Sequence, residues 1–349
     1  MPRLLTPVLS GSPKSLWRTR ISAADSRAIL ASLAGPGRGT HSMSKLRVSI
    51  VEFLNTAPLV WGFTDGPLEG RYDLSFTVPS LCADALRAGQ ADIAIIPAIE
   101  YQRMDGMVVL PEMAIAAKGE VRSLLVLARK PIQFAKRIAL DTNSRSTVAL
   151  TRLLCRGHWG IDPEFIDSPP DPEAMLATAD AALVIGDPAL RVRLKVDALS
   201  AKQPAGHGCC GGDESEHPVA GVDMLFVYDV AQQWREMTGK PSVLAVWVGR
   251  RDVVTPEVVA DFQASREYGL ANLGEIAEGA ALKLELPPNP LERYLRESID
   301  YSLDAENLSA LEYYFARCAD AGLIAGNRPI EFAAAPQSAQ HAGRSAGKD

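Results

Sequence analysis

Residues 138–159 bring together side chains suited to holding an anion. Asp141, Thr142, Asn143, Ser144, Arg145, Ser146 and Thr147 follow the short apolar run Ile138, Ala139 and Leu140. Val148, Leu150, Leu153 and Leu154 then recur near helical spacing. A strand feeding a polar turn that opens a helix leaves the first-turn N–H groups and the positive end of the helix dipole facing the turn. Ser144, Ser146 and Thr147 can cap or donate, and Arg145 carries a planar fork that matches a carboxylate. One hydroxyl alone would read as an N-cap, and one arginine as a solvated charge. Three hydroxyls around an arginine point to a carboxylate or phosphate ligand.

Other polar residues fall at comparable places. Asn55 follows an apolar run and precedes Thr56, Ala57 and Pro58; Ser123 opens another; Gly186 and Asp187 close a third. Singly, Asn55 reads as an N-cap and Glu100, just past Pro97, as a first-turn acid. They gain weight as a set, because ligands of open α/β sheets bind beyond the carboxyl ends of strands and often between lobes.

The elements that must position these residues alternate between strand and helix, the α/β signature. Strands are expected at residues 46–51, 72–78, 92–96, 123–128, 138–140, 180–185 and 243–248. A helix is expected from Pro79 to Leu86, with Pro near its start and Gly89 past its end. Residues 226–234 read as a short strand and helix, and residues 256–325 as mostly helical, broken at Pro287, Pro288 and Pro290. The pattern predicts two α/β lobes, with residues 43–127 and 246–330 forming a discontinuous first lobe and 128–245 the second. The apolar runs at 123–128 and 243–248 are expected to cross between them.

Composition removes several function classes. A net charge of −6 without any run of Lys or Arg argues against nucleic-acid binding. No apolar stretch approaches the length of a membrane span. Five scattered cysteines form no disulfide framework and suit a reducing, cytoplasmic setting. Residues 1–42 are basic and rich in Ser, Gly and Pro without a signal-type apolar segment, and read as a disordered extension or a mistaken start. Residues 337–349 read as a disordered tail. His207, Cys209, Cys210 and His217 lie in a Gly-rich stretch at 200–220 whose spacing matches no zinc pattern, so no metal is expected. Neither phosphate-binding glycine fingerprint is present, and no cofactor is expected.

Six segments also carry a resemblance: residues 53–59 (FLNTAPL), 91–101 (ADIAIIPAIEY), 119–123 (GEVRS), 143–148 (NSRSTV), 181–187 (AALVIGD) and 245–247 (AVW). Together, in order, they are similar to the chorismate dehydratase family of the futalosine route to menaquinone. That family more often reads S-R-T-S where this chain has Ser144, Arg145, Ser146 and Thr147, an exchange that keeps both hydroxyls. The resemblance implies a two-lobed fold of the type II periplasmic-binding-protein kind, with the active site in the interlobe cleft and no metal. It implies chorismate as substrate and 3-[(1-carboxyvinyl)oxy]benzoate plus water as products, with no nucleic acid, membrane or obligate protein partner. It places Asn55 and Ser123 as catalytic residues, and Ser144, Arg145, Ser146, Thr147, Gly186 and Asp187 as substrate-binding ones. Two rivals share the fold: a 1,4-dihydroxy-6-naphthoate synthase with a histidine base, and a non-catalytic solute-binding protein. None of the five histidines lies in a matched segment, and no export signal is visible.

Overall fold

Runs of Val, Ile, Leu and Ala buried on both faces build the centre of each of two sheets, as parallel strands covered by helices require. The computed structural model describes residues 45–200, 216–219 and 222–335. The readings for residues 1–42, 201–215 and 337–349 lie outside the described residues.

The first sheet takes β1 (Arg47–Val51), β2 (Asp73–Thr77), β3 (Ile93–Pro97), β4 (Met107–Ala117) and β11 (Ser242–Arg250) in the order β2-β1-β3-β11-β4. The second takes β5 (Leu124–Ala128), β6 (Arg137–Asp141), β7 (Glu164–Ser168), β8 (Ala181–Ile185), β9 (Glu216–Val219) and β10 (Val222–Asp229) in the order β7-β6-β8-β5-β10-β9. In each sheet three parallel strands, β1 to β3 and β6 to β8, carry the helical crossovers. Strands β11 and β5 pair antiparallel beside them.

The division between lobes therefore differs from the sequence reading by a few residues at each crossing. β5 lies wholly in the second sheet and β11 wholly in the first, so neither crosses. The chain passes over at residues 118–123 and again at 239–241. Both runs are apolar because they are central strands, and apolarity alone does not distinguish a central strand from a connecting one. Strand β9, inside the stretch read as an aperiodic loop, pairs antiparallel with β10.

The helices are α1 (Ala57–Thr64), α2 (Pro79–Arg87), α3 (Ala98–Tyr101), α4 (Arg145–Gly157), α5 (Pro172–Thr178), α6 (Gly186–Ser200), α7 (Val230–Thr238), α8 (Pro256–Ala271), α9 (Leu273–Leu284), α10 (Pro288–Arg293) and α11 (Ala305–Asp320). Helix α1 is buried throughout and lies backbone to backbone against α8. A Cβ on Gly269 would stand 2.0 Å from the Pro58 carbonyl oxygen, so the approach needs hydrogen at that position. Below them Phe63, Tyr72, Trp247 and Phe262 interlock edge to face, with centroids 4.8–5.6 Å apart. After α10 the chain widens into a π-helical turn, Tyr294–Ser298. Helix α11 reaches the second lobe: Tyr314 donates to the Ser146 carbonyl, and its ring meets Trp234 of α7.

Candidate functional site

Helix α4 begins where the sequence places it. Ser144 is its N-cap in extended conformation, yet no side chain caps the helix. The Ser144 hydroxyl instead meets Thr147 Oγ1 at 2.9 Å. Ser146 Oγ accepts the Ile99 N–H of α3 at 3.2 Å, and the Ser80 N–H of α2 donates to the Asn143 carbonyl at 2.8 Å. The turn before α4 is thus pinned to the opposite lobe. Ser144, Ser146 and Thr147 are all buried.

The fork of Arg145 is engaged within the chain: Nη1 and Nη2 reach Asp84 Oδ1 and Oδ2 at 3.0 and 2.9 Å, and Nη1 also reaches Glu100 Oε2 at 3.1 Å. Glu100, 1% exposed, is further paired with Arg87 and, at 2.6 Å, with Arg103. The Asp84 carboxyl is held below the usual carboxylate range first by its hydrogen bond to Arg145. The planar fork that a substrate carboxylate would need is occupied by a carboxylate of the chain itself. A short-range sequence reading had no way to bring Asp84, sixty-one positions away, to that fork.

Asn55 and Ser123, expected in the cleft, converge on a third residue. Asn55 sits in the one-turn 3-10 helix Leu54–Thr56 that follows β1, and Ser123 immediately precedes β5. Tyr294, at the start of the π-helical turn, donates its hydroxyl to Ser123 Oγ at 2.8 Å, and the Asn55 side chain lies beside the same phenol. Ser123 is fully buried and its own hydroxyl reaches only the Val121 carbonyl, at 3.4 Å. Burial pushes the Tyr294 phenol well above its ordinary range, so it stays a protonated donor near neutral pH.

The turn leading into Ser123 is fixed by Asp229. Its carboxylate accepts the N–H groups of Val121 and Arg122 as well as those of Ala231 and Gln232 at the start of α7. Arg122 holds a left-handed backbone, φ +64°, directly before Ser123. A non-glycine residue there is strained and persists only where its surroundings hold it. Burial raises the Asp229 carboxyl to about 6, against the pull of the donated N–H groups.

Gly186 and Asp187 close the far side. The Gly186 N–H donates to the Ser123 carbonyl at 2.8 Å, joining the end of β8 to the start of β5. Gly186 has φ +65°, and a Cβ there would lie 2.7 Å from the Phe53 ring, so only glycine lets Phe53 pack against the turn. Asp187 accepts the Leu54 N–H at 3.0 Å across the lobes. Burial raises its carboxyl to about 6, and the Leu54 hydrogen bond opposes the shift.

Each acid near these segments has a partner. Glu52 pairs with Lys283 at 2.7 Å, Glu100 with three arginines, Asp141 accepts the Asn143 N–H at 3.0 Å, and Asp187 holds Leu54. His158 ends α4 with Nε2 3.9 Å from Glu236. Among the described residues, no group of three or more His, Cys, Asp or Glu could hold a metal ion, and no helix is long and apolar enough to cross a membrane. Sequence reasoning missed Tyr294, Asp84 and Asp229. Tyr294 is masked by the surrounding prolines and arginines, and the other two act over distances that periodicity does not report.

The model of a family described as menaquinone biosynthesis matches residues 46–320. A chorismate dehydratase of Thermus thermophilus is 28% identical over 251 residues, covering 71% of this chain and 86% of the relative. Among solved structures, an Archaeoglobus fulgidus protein superposes with a TM-score of 0.61 at 19% identity, covering 81% of this chain and all of that one. The periplasmic aliphatic sulphonate binding protein of Escherichia coli superposes at 0.52 with 14% identity, covering 88% and 98%. At such identities the structures carry the fold alone: two lobes in the manner of periplasmic binding proteins.

Proposed function

The chain belongs to the menaquinone biosynthesis family, and from that premise we propose that it is a chorismate dehydratase, a hydro-lyase converting chorismate to 3-[(1-carboxyvinyl)oxy]benzoate and water. The observation that carries this reading is the buried Ser123 hydroxyl bonded to the Tyr294 phenol with Asn55 beside it, next to the Gly186 turn. The likeness to the Thermus thermophilus enzyme supports the choice of substrate.

The ring carbon that carries the enolpyruvyl ether loses a proton, and the charge spreads through the adjacent double bond into the ring carboxylate. The neighbouring carbon then expels its hydroxyl, which leaves as water and makes the ring aromatic. Such a path needs donors already in place where negative charge grows. The first-turn N–H groups of α4 with the Ser144 and Thr147 hydroxyls serve a carboxylate, and Asn55 holds the hydroxyl or enolpyruvyl group. Ser123, whose proton is engaged only by a long contact to its own turn, donates to the departing hydroxyl. Arg145 fixes the α4 turn through Asp84 and Glu100. The nearby acids are all engaged, which favours proton removal by the substrate's own enolpyruvyl carboxylate, attached to the reacting carbon and needing no diffusion.

The test is a comparison of wild type with Ser123→Ala on chorismate, following loss of the substrate's ultraviolet band. Turnover by the wild type that falls by about a hundredfold or more in the variant fits a donor at the leaving group. Wild-type turnover in Ser123→Ala would remove that residue from the chemistry.

A further inference from the structure

From the geometry around the π-helical turn we infer that Tyr294 is a positioning residue for the reaction, acting through Ser123. This rests on the chorismate reading above and adds to it the group that sets the serine.

A serine hydroxyl rotates among three staggered positions, and its usefulness as a donor depends on which one it holds. The Ser123 hydroxyl has two polar contacts: the Tyr294 hydroxyl at 2.8 Å and the Val121 carbonyl at 3.4 Å. The short bond is the one in which Ser123 accepts. A serine whose lone pair is occupied by a phenolic O–H presents its own proton outward, and donation into its oxygen makes that proton a better donor. The 3.4 Å contact to Val121 is too long to compete with a substrate oxygen.

The backbone supports the same reading. Tyr294 begins a π-helical turn, Tyr294–Ser298, directly after α10. Such turns distort a regular helix at a cost and recur where a side chain must be aimed. Here the widening aims a ring that is 2% exposed at the junction between β1 and β5, one from each lobe. Asn55 of the first lobe lies beside the hydroxyl that bonds Ser123, which leads into β5 of the second.

The test is a double-mutant cycle on the full-length chain with chorismate as substrate. Tyr294→Phe keeps the ring and removes one hydroxyl. It should lower kcat by about tenfold or more while KM stays within about twofold, because the serine loses its orientation and the binding groups do not. In a Ser123→Ala background the same change should have no further effect on kcat, since the group it acts through is gone. Tyr72→Phe provides the comparison for a hydroxyl that is structural only. It removes a buried phenol hydroxyl bonded to Asp261 at 2.6 Å, and should lower Tm without altering kcat. A Tyr294→Phe enzyme with wild-type kcat, or with losses that multiply with those of Ser123→Ala, would overturn the inference while leaving the dehydratase reading standing. A wild-type protein that leaves chorismate unchanged would overturn both.

Discussion

Arg145 and Asp84 meet fork to fork across the lobes, Nη1 to Oδ1 at 3.0 Å and Nη2 to Oδ2 at 2.9 Å. The pair ties the first turn of α4 in the second lobe to α2 in the first. Glu100 of α3 joins from beneath, its charge met by Arg87, Arg103 and Arg145. The arginine that sequence alone presents as a ligand anchor joins α4 to α2 and α3.

This arrangement makes a discriminating pair of variants. Arg145→Lys replaces a planar fork by a point charge and should lower kcat/KM by about 2 kcal/mol. Asp84→Asn should move kcat/KM in the same direction, because the turn before α4 is less firmly placed. An arginine whose work was to grip substrate would be released by Asp84→Asn and would bind more tightly. A fall in KM for Asp84→Asn would therefore contradict the positioning role.

Gly186→Ala probes the closure on the other side. A left-handed alanine costs about 1–2 kcal/mol, and the added methyl also meets the Phe53 ring. Urea unfolding should show a loss of at least that size, and kcat/KM should fall with it because Phe53 and Leu54 no longer seat against the turn. Unchanged stability would mean that Phe53 moves aside without consequence.

Asp187 gives a pH dependence with a definite sign. Its folded-state pKa, about 6, lies above that of an exposed aspartate near 4, so the folded protein holds the proton more tightly than the unfolded chain. Its contribution to stability is present at about pH 4 and is lost as pH rises through about 6. Asp187→Asn keeps an oxygen for the Leu54 N–H and cannot ionise. The variant's Tm should therefore gain on the wild type between about pH 4.5 and pH 7. A difference that stays flat, or runs the other way, would show that Asp187 is not destabilised by its charge.

The acids also test where the proton goes. Glu52→Gln, Glu100→Gln, Asp141→Asn, Asp187→Asn and His158→Gln should each leave kcat within about a hundredfold of wild type, the losses tracking disturbed partners. A single variant that loses several orders of magnitude in kcat while still folding and binding chorismate would identify a protein base. The substrate-assisted path would then be wrong.

Much of this was legible because local physics decided it. Pro79 and Gly89 bracket α2, and the periodic leucines of 148–154 lie on α4, because each signal acts within a turn or two. The placing of Asn55, Ser123 and Gly186 at strand ends could be read for the same reason. Strand β4 was not read: Pro111 and Glu112, the latter at φ +65°, interrupt a strand that nevertheless continues for eleven residues beside β11. The partner of Arg145 was hidden because Asp84 sits on an ordinary amphipathic helix. Tyr294 was hidden because its role depends on a π-helical turn that no hydrophobic period announces.

The most direct test of the central claim is to incubate the purified wild-type chain with chorismate and follow the mixture by proton NMR. The account predicts that chorismate gives way to an equimolar aromatic product with one ring proton fewer and the enolpyruvyl methylene retained, as 3-[(1-carboxyvinyl)oxy]benzoate requires. Chorismate persisting unchanged beside folded protein, or an aromatic product that has lost its enolpyruvyl group, would contradict it.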